Sequence, residues 1–78
     1  APVFYVSGEV KKPDAYKYEQ GTTIIKAVTL AGGFSDKASP GKVRIVRKEA
    51  GQEKGFNAVK MDAPVLPDDV IVVPESFF

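Results

Sequence analysis

Two short segments near opposite ends of the sequence are apolar on both faces if they are extended. Residues 3–7 begin Val-Phe-Tyr-Val, which places Val3 and Tyr5 on one face, and residues 70–73 read Val-Ile-Val-Val. A strand that is apolar on both faces is usually a central strand with both faces covered. We therefore expect the first and last strands of this chain to be parallel neighbours in the middle of one sheet.

The residues that follow the first segment predict a hairpin. Residues 8–14 include Gly8 and Pro13, a composition typical of a turn, and Pro13 cannot donate a ladder hydrogen bond. In residues 15–19, tyrosines alternate with charged side chains, which is the pattern of a half-buried strand. This second strand is predicted to be the return leg of the hairpin.

A helix of about ten residues is predicted next from its apolar periodicity. Thr22 or Thr23 can cap its N-terminus, and Gly32 and Gly33 can supply the left-handed residue that ends it. Four apolar residues share one helical stripe: Ile24, Ala27, Val28 and Ala31. Because so short a helix depends on packing for its stability, we expect this stripe to face the sheet.

The second half of the sequence alternates strands with turns. Residues 43–48 predict a third strand, residues 49–55 a polar turn and residues 56–61 a fourth strand. The predicted order is therefore β-β-α-β-β-β. This order predicts an α+β fold of the β-grasp type, in which a mixed sheet of about four to five strands clasps one helix.

The composition bounds the size and chemistry of the protein. Its 78 residues make one small domain, and 11 basic against 10 acidic residues give a net charge of +1. This balance argues against a broad electrostatic footprint for nucleic acid or anionic lipid. The sequence contains no histidine and no cysteine, which removes the commonest general base and the thiolate metal ligands. No apolar stretch approaches the roughly 20 residues that a membrane-spanning helix needs.

Both ends of the sequence predict a longer parent protein. The chain begins at Ala1 without a methionine, so we expect this single domain to be a fragment of a larger chain or a processed form. At the other end, Phe77 and Phe78 form an aromatic pair. Such a pair is predicted to pack against another domain or to mark the continuation of the chain into one.

No residues form a recognisable catalytic or metal-binding set. Gly32 and Gly33 follow the predicted helix, whereas an anion site needs its glycines before a helix N-terminus. Four acidic residues could suggest metal ligation, but they have turn composition and lack calcium-loop spacing: Asp62, Asp68, Asp69 and Glu75. We therefore expect no enzyme activity, no metal and no cofactor.

Basic and aromatic side chains remain as candidates for contact with a partner or a polysaccharide. The candidate residues are Lys11, Lys12, Tyr16, Tyr18, Lys42, Arg44, Arg47 and Lys48. The basic residues are explained either as solvated charge on an edge strand or as contacts to carboxylates, which arginine suits well. The tyrosines either fill a sheet face or stack on sugar rings. Among the aromatic residues, Tyr16 and Tyr18 are predicted to be the more exposed.

Three motifs in the sequence resemble those of one known family. Residues 6–16, Val-Ser-Gly-Glu-Val-Lys-Lys-Pro-Asp-Ala-Tyr, resemble the opening of the SLBB domain, the soluble ligand-binding β-grasp. Residues 31–34, Ala-Gly-Gly-Phe, and residues 69–75, Asp-Val-Ile-Val-Val-Pro-Glu, are similar to its other two hallmarks. Asp14 and Asp68 stand where this family usually has glycine. Since aspartate tolerates left-handed backbone geometry, both turns are expected to survive.

Within this family, the sequence most resembles the polysaccharide export proteins of Gram-negative bacteria. The resemblance implies a non-enzymatic module of a capsule or exopolysaccharide export channel, in the periplasm, as part of a protein associated with the outer membrane. The implied partners are the other subunits of a ring-shaped homo-oligomer, polysaccharide and an inner-membrane export protein, but no nucleic acid. We expect this chain alone to be monomeric or weakly associating, and a neighbouring domain or subunit to cover the sheet face opposite the helix.

Two other functional classes compete with this interpretation. The alternative is a ligand-binding SLBB module of another class, such as a competence-type DNA receptor. A DNA receptor would require a stronger positive balance than +1 and a following helix-hairpin-helix segment. An enzyme is the third class, and its catalysis would have to rest on carboxylates, lysine or tyrosine, for which the sequence shows no recognisable pairing.

Overall fold

The structure is a computed structural model that describes residues 2–76, so the aromatic pair Phe77 and Phe78 lies outside the described residues. In chain order its elements are β1 (Val3–Gly8), β2 (Asp14–Lys17), α1 (Ile24–Leu30), β3 (Arg44–Glu49), β4 (Gln52–Phe56) and β5 (Val70–Val73). A 3₁₀ turn at Pro40–Lys42 precedes β3.

The five strands form one mixed sheet in the order β2-β1-β5-β3-β4. The first and last strands lie side by side at its centre and run parallel, with Tyr5 opposite Val70 and Val6 opposite Ile71. The other three strand pairs are antiparallel. Together with α1, this arrangement is the predicted α+β fold and is that of a β-grasp. The predicted central pair is therefore confirmed in both position and direction.

The core lies between α1 and one face of the sheet. The helix contributes its predicted stripe, and all four residues are buried: Ile24, Ala27, Val28 and Ala31. The sheet and its loops contribute Phe4, Val6, Val10, Val43, Ile45, Val65, Ile71 and Val73. Full burial of a Val, Ile or Phe side chain stabilises the folded state by roughly 1.5–3 kcal/mol. This one layer of contacts is the main source of stability in so small a domain.

The N-terminus of α1 is capped by both a side chain and a loop. Thr23 is the N-cap, and its hydroxyl accepts a hydrogen bond of 3.4 Å from the Lys26 amide. The Ile24 amide donates to the Ala63 carbonyl, and the next amide donates to the Met61 carbonyl. These bonds satisfy amides that a helix of this length leaves free at its first turn.

The C-terminus of α1 is closed by the predicted glycines. Gly32 and Gly33 have φ values of 86° and 94°. The Gly32 amide donates to the Thr29 carbonyl at 3.0 Å, and the Gly33 amide donates to the Val28 carbonyl at 2.9 Å. These two bonds define a Schellman motif. The helix has seven residues instead of about ten, because this motif stops it at Leu30.

Gly8 lies against the backbone of Val73 on β5, with no room for a side chain. Its φ is +89°, and a Cβ atom built at this position would lie 2.2 Å from the Val73 carbonyl oxygen. The Glu9 amide donates a 2.9 Å hydrogen bond to that same oxygen. No side chain fits here, so the first glycine of the SLBB-like motif is required by the close approach of two backbones.

The predicted fourth strand is wrong in position. β4 is Gln52–Phe56, whereas residues 57–61 form no strand. Ala50 and Gly51 join β3 to β4 as a two-residue loop with φ values of 52° and 78°, which is the geometry of a type I′ hairpin turn. All five residues of β4 are exposed. Because neither of its faces is buried, the strand has no apolar alternation, and its sequence resembles a polar turn.

The two aspartates in place of glycine behave differently. Asp68 has a φ of 69°, as predicted, and it follows Pro67 in a turn closed by a 3.1 Å hydrogen bond from the Asp69 amide to the Leu66 carbonyl. Asp14 needs no left-handed backbone, because it is the first residue of β2. Its carboxylate instead accepts a 2.7 Å hydrogen bond from the amide of the next residue, Ala15.

The close approach at Gly8 predicts a large loss of stability for Gly8→Ala. We expect the free energy of unfolding to fall by about 1–3 kcal/mol from backbone strain, plus at least about 2 kcal/mol from the collision with Val73. Gly21→Ala is the matched control, because Gly21 has a φ of +90° but no atom within 4 Å of the added Cβ. Urea unfolding of both variants measures the difference. Equal losses would show that the close approach is unimportant.

Candidate binding surface

Arg47 lies on the helix side of the sheet and is bound by a buried carboxylate. Its Nε donates to Oδ1 of Asp69 at 2.9 Å, and its Nη2 donates to Oδ2 at 2.8 Å. The Asp69 side chain is 1% exposed, and that of Arg47 is 18% exposed. The guanidinium carbon also lies 5.2 Å from the ring centroid of Phe56, within cation–π range. The interpretation of Arg47 as a solvated charge on an edge strand is therefore wrong, because Arg47 is mostly buried and β3 lies inside the sheet.

Asp69 does more than the turn chemistry predicted for it. Its Oδ2 also accepts a 2.8 Å hydrogen bond from the Leu66 amide. The hydrogen bonds to Asp69 raise the pKa of Arg47 above its ordinary value, and this effect outweighs the lowering by burial. A raised pKa means that the stabilisation by the charged guanidinium is complete below the ordinary arginine pKa and is lost only above it. Arg47 therefore remains charged and paired at neutral pH.

The other predicted basic contacts are spread over the surface. Lys11 and Lys12 lie beside the C-terminus of α1, where their amides donate to the carbonyls of Gly33 and Ala31. Lys42 ends the 3₁₀ turn, and it lines a shallow depression of about 310 Å³ together with Arg44, Asn57, Ala58 and Pro74. The structure does not gather the predicted basic residues into one cluster, so they do not form a single site.

The prediction that Tyr16 and Tyr18 are the more exposed aromatic residues holds against Phe4, which is fully buried, but is wrong against Tyr5. Both side chains are half-buried and pack against the core. The Tyr16 ring lies 6.1 Å from the ring of Phe4, and its hydroxyl donates to the Lys12 carbonyl. Tyr5 instead is 42% exposed. The alternation of residues 3–7 contained this information, because it places Tyr5 opposite the residues that pack under the helix.

The helix leaves the other face of the sheet uncovered, and we call it the open face. Strand alternation and register place twelve side-chain positions on it: Val3, Tyr5, Ser7, Ala15, Lys17, Arg44, Val46, Lys48, Glu53, Gly55, Val70 and Val72. Val3, Val46, Val70 and Val72 are half-buried by their neighbours in the sheet. The open face is therefore apolar at its centre and charged towards its edges.

One line of aligned residues crosses all five strands of the open face, and we call it the central row. In sheet order it consists of Ala15, Tyr5, Val70, Val46 and Gly55. Four strand spacings give it a length of roughly 19 Å. The residues at its two ends are small and exposed, while Tyr5 carries its only aromatic ring. The central row is an uninterrupted apolar path from one edge of the sheet to the other.

Three cations and one carboxylate lie beside the central row on the strands. Lys17 and Lys48 are on one side of it and Arg44 is on the other. Glu53 is the register partner of Lys48. The guanidinium of Arg44 reaches over the end of the row, because its Nη2 would lie 3.7 Å from a Cβ built on Gly55. Within residues 2–76 none of the three cations forms an ion pair.

A groove runs along the outer surface of α1 next to β2. Its volume is about 430 Å³, and it is lined by both charged and apolar side chains. Ile25 and Leu30 provide its apolar surface and are 48% and 55% exposed. Lys17, Glu19 and Lys26 surround them. The groove holds no concentration of one charge and no set of side chains with an evident chemical task.

The described part of the chain offers no cluster of carboxylates that could hold a metal ion. Among residues 2–76, no three Asp or Glu side chains lie close enough to share a metal ion. Every buried side-chain nitrogen or oxygen in the described region has a hydrogen-bond partner. A search of the described helices finds none that is both long and apolar enough to cross a membrane.

The SLBB domain family matches residues 3–57, which is more than half of the chain and includes β1 to β4. The chain belongs to the SLBB family. SLBB is a family of ligand-binding domains and not a family of enzymes. A search of curated proteins returned no match. β5 lies beyond the matched residues, and its assignment rests on the structure, which places it beside β1.

The pair of Arg47 and Asp69 predicts a specific stability effect. Asp69→Ala removes the carboxylate from a mostly buried guanidinium, which keeps a 3.4 Å hydrogen bond to the Pro64 carbonyl, and it leaves the Leu66 amide without its acceptor. The free energy of unfolding should therefore fall by about 2–4 kcal/mol. Glu49→Gln is the control, since Glu49 and Lys54 form an exposed pair, and it should change stability by less than about 0.5 kcal/mol. Chemical denaturation at neutral pH compares them. A loss for Asp69→Ala no larger than that of the control would contradict this role.

Proposed function

We propose that this SLBB domain is a structural and binding module of a bacterial channel that exports capsule or exopolysaccharide. It acts in the periplasm as part of a larger protein associated with the outer membrane. Its roles there are packing within a ring of subunits and contact with the polysaccharide. The proposal rests on the family and on the resemblance of the sequence to polysaccharide export proteins.

The observation that carries the proposal is the face of the sheet that no element within residues 2–76 covers. The helix covers one face, and the other presents the central row with cations beside it. A sheet normally buries an apolar face against another layer, and an exposed apolar patch with a polar rim is typical of an interaction site. A binding module therefore explains this surface better than a catalyst does.

The first test is genetic. Deletion of the encoding gene in its native host should abolish or strongly reduce the polysaccharide at the cell surface, because export requires the channel. Surface carbohydrate is measured chemically, and complementation with the intact gene is the control. Normal surface polysaccharide in the deletion strain would contradict the proposed function.

The second test concerns the chain on its own. We predict that this domain is monomeric at micromolar concentrations in sedimentation velocity experiments, since three cations against one carboxylate on the open face disfavour its pairing with a second copy. The ring would then depend on other parts of the full-length protein. A stable ring formed by this domain alone would contradict the prediction.

A further inference from the structure

We infer that the open face binds an acidic polysaccharide, which lies along the central row. This inference rests on the proposed function, and it names the site and the class of ligand. The polymer would place its apolar sugar faces on the central row and its carboxylates near the flanking cations. The sequence had instead suggested a neighbouring domain or subunit as the cover of this face.

The shape of the central row favours a polymer. Its two end positions, Ala15 and Gly55, lie on the edge strands β2 and β4 and are exposed. No bulky side chain of the row therefore blocks either end. A polymer longer than the domain can cross the sheet and continue past both edges. A compact ligand would not require open ends.

Tyr5 gives the row a surface for sugar binding. It is 42% exposed, and its register partners, Val70 on β5 and Ala15 on β2, have smaller side chains. Its ring therefore extends further from the sheet than its neighbours do. Tyrosine has an apolar ring with a polar hydroxyl at its tip, so it suits a ligand of which one part is apolar and another part is hydrated. A sugar ring has both kinds of surface.

The charges beside the row select an acidic partner. Arg44 lies over the Gly55 end of the row, and Lys17, which also lines the groove beside α1, is two residues from Ala15 at the other end. Glu53 faces Lys48 across the strands, so it offsets that lysine and leaves the other two cations without a register partner of opposite charge. Exposed arginine and lysine side chains are suited to carboxylates, and arginine can bind them with two parallel hydrogen bonds.

The same charges argue against a second copy of this domain as the occupant. Two open faces packed together would place cations near cations across an apolar contact. Like charges held at an interface cost binding energy and suppress the wrong partner. A second copy therefore fits this face less well than an acidic polymer does.

The spacing of the cations argues against nucleic acid. Lys17 and Lys48 are three strands apart, and Arg44 and Lys48 are four residues apart on one strand. Both separations are roughly 13–14 Å. A nucleic acid strand carries one charge per roughly 3.4 Å of its axis, and its binding depends on many close phosphate contacts. Sparse cations beside an apolar path better fit a polymer that carries a carboxylate only on some of its sugars.

The experiment is a titration of this domain, followed by the amide signals in its NMR spectrum. The probes are an oligogalacturonate, a neutral maltooligosaccharide of the same length and a single-stranded oligonucleotide. We expect the oligogalacturonate to shift signals of the central row, including those of Tyr5, Val46 and Val70, and to leave α1 unaffected. The neutral sugar should bind at least about tenfold more weakly, because it lacks the charge-assisted contacts.

Substitutions on both sides of the molecule make the test specific. Tyr5→Ala and Arg44→Gln should each weaken oligogalacturonate binding by about tenfold, while Tyr5→Phe should retain most of it. Leu30→Ala and Lys26→Gln are the matched controls on α1, and they should bind as the original chain does. Unchanged amide spectra away from each substitution show that the variants are folded.

Several results would overturn the inference. They are the absence of binding, equal binding of the neutral sugar, shifts confined to α1, tighter binding of the oligonucleotide, or shifts of the open face that depend only on protein concentration. The last result would assign the face to a second copy. None of these results bears on the outcome of the gene deletion. If the deletion strain loses export but the domain binds no glycan, only this inference is refuted. Normal export in the deletion strain refutes the proposed function itself.

Discussion

The parallel pairing of β1 with β5 is the contact on which the rest of the structure depends. It joins the two ends of the described chain at the centre of the sheet, with Val6 opposite Ile71. Loop closure over so long a stretch of chain is entropically costly and must be offset by the contacts that it creates. The buried side chains of these two strands supply such contacts, because they lie directly under the stripe of α1. Gly8 is essential to this arrangement, since it lets the two backbones approach.

Arg47 and Asp69 extend that central contact towards β4. Asp69 immediately precedes β5, and Arg47 lies on the neighbouring strand β3. The pair links the turn before β5 to β3, and the guanidinium covers the ring of Phe56 on β4. A buried ion pair is not by itself a strong source of stability, but the loss of one partner is costly. Its evident structural role is to fix the turn from which the last strand begins.

The sequence was most informative where burial imposes a regular apolar pattern along a whole element. β5 reads Val-Ile-Val-Val and was predicted with its observed limits, because a strand in the centre of a sheet needs apolar residues on both faces. The helix stripe and the glycines that end α1 were predicted for similar reasons. β4 was misplaced because an edge strand exposed on both faces carries no such pattern. Its existence depends on the hairpin turn at Ala50 and Gly51 and on pairing with β3.

The candidate surface was only partly predictable. The alternation in β1 indicated a second apolar face, but it could not show which strands would lie beside Tyr5. The central row depends on the register of all five strands, and register between distant segments is not written in any local pattern. Arg47 and Lys48 are adjacent in sequence and look alike, yet they point to opposite faces of β3. Strand alternation separates their faces, but the partner that binds Arg47 is 22 residues away and is not indicated by any local pattern.

The short contact between the carboxylate of Asp14 and the amide of Ala15 has a consequence beyond the turn that it terminates. β2 is an edge strand, and the amide of Ala15 points away from β1, where it would be free to pair with a strand from another molecule. The carboxylate occupies that donor, and it places a negative charge where an incoming carbonyl oxygen would have to approach. The β2 edge is thereby protected against growth of the sheet by strand addition. Neighbouring molecules are directed to the faces of this domain instead.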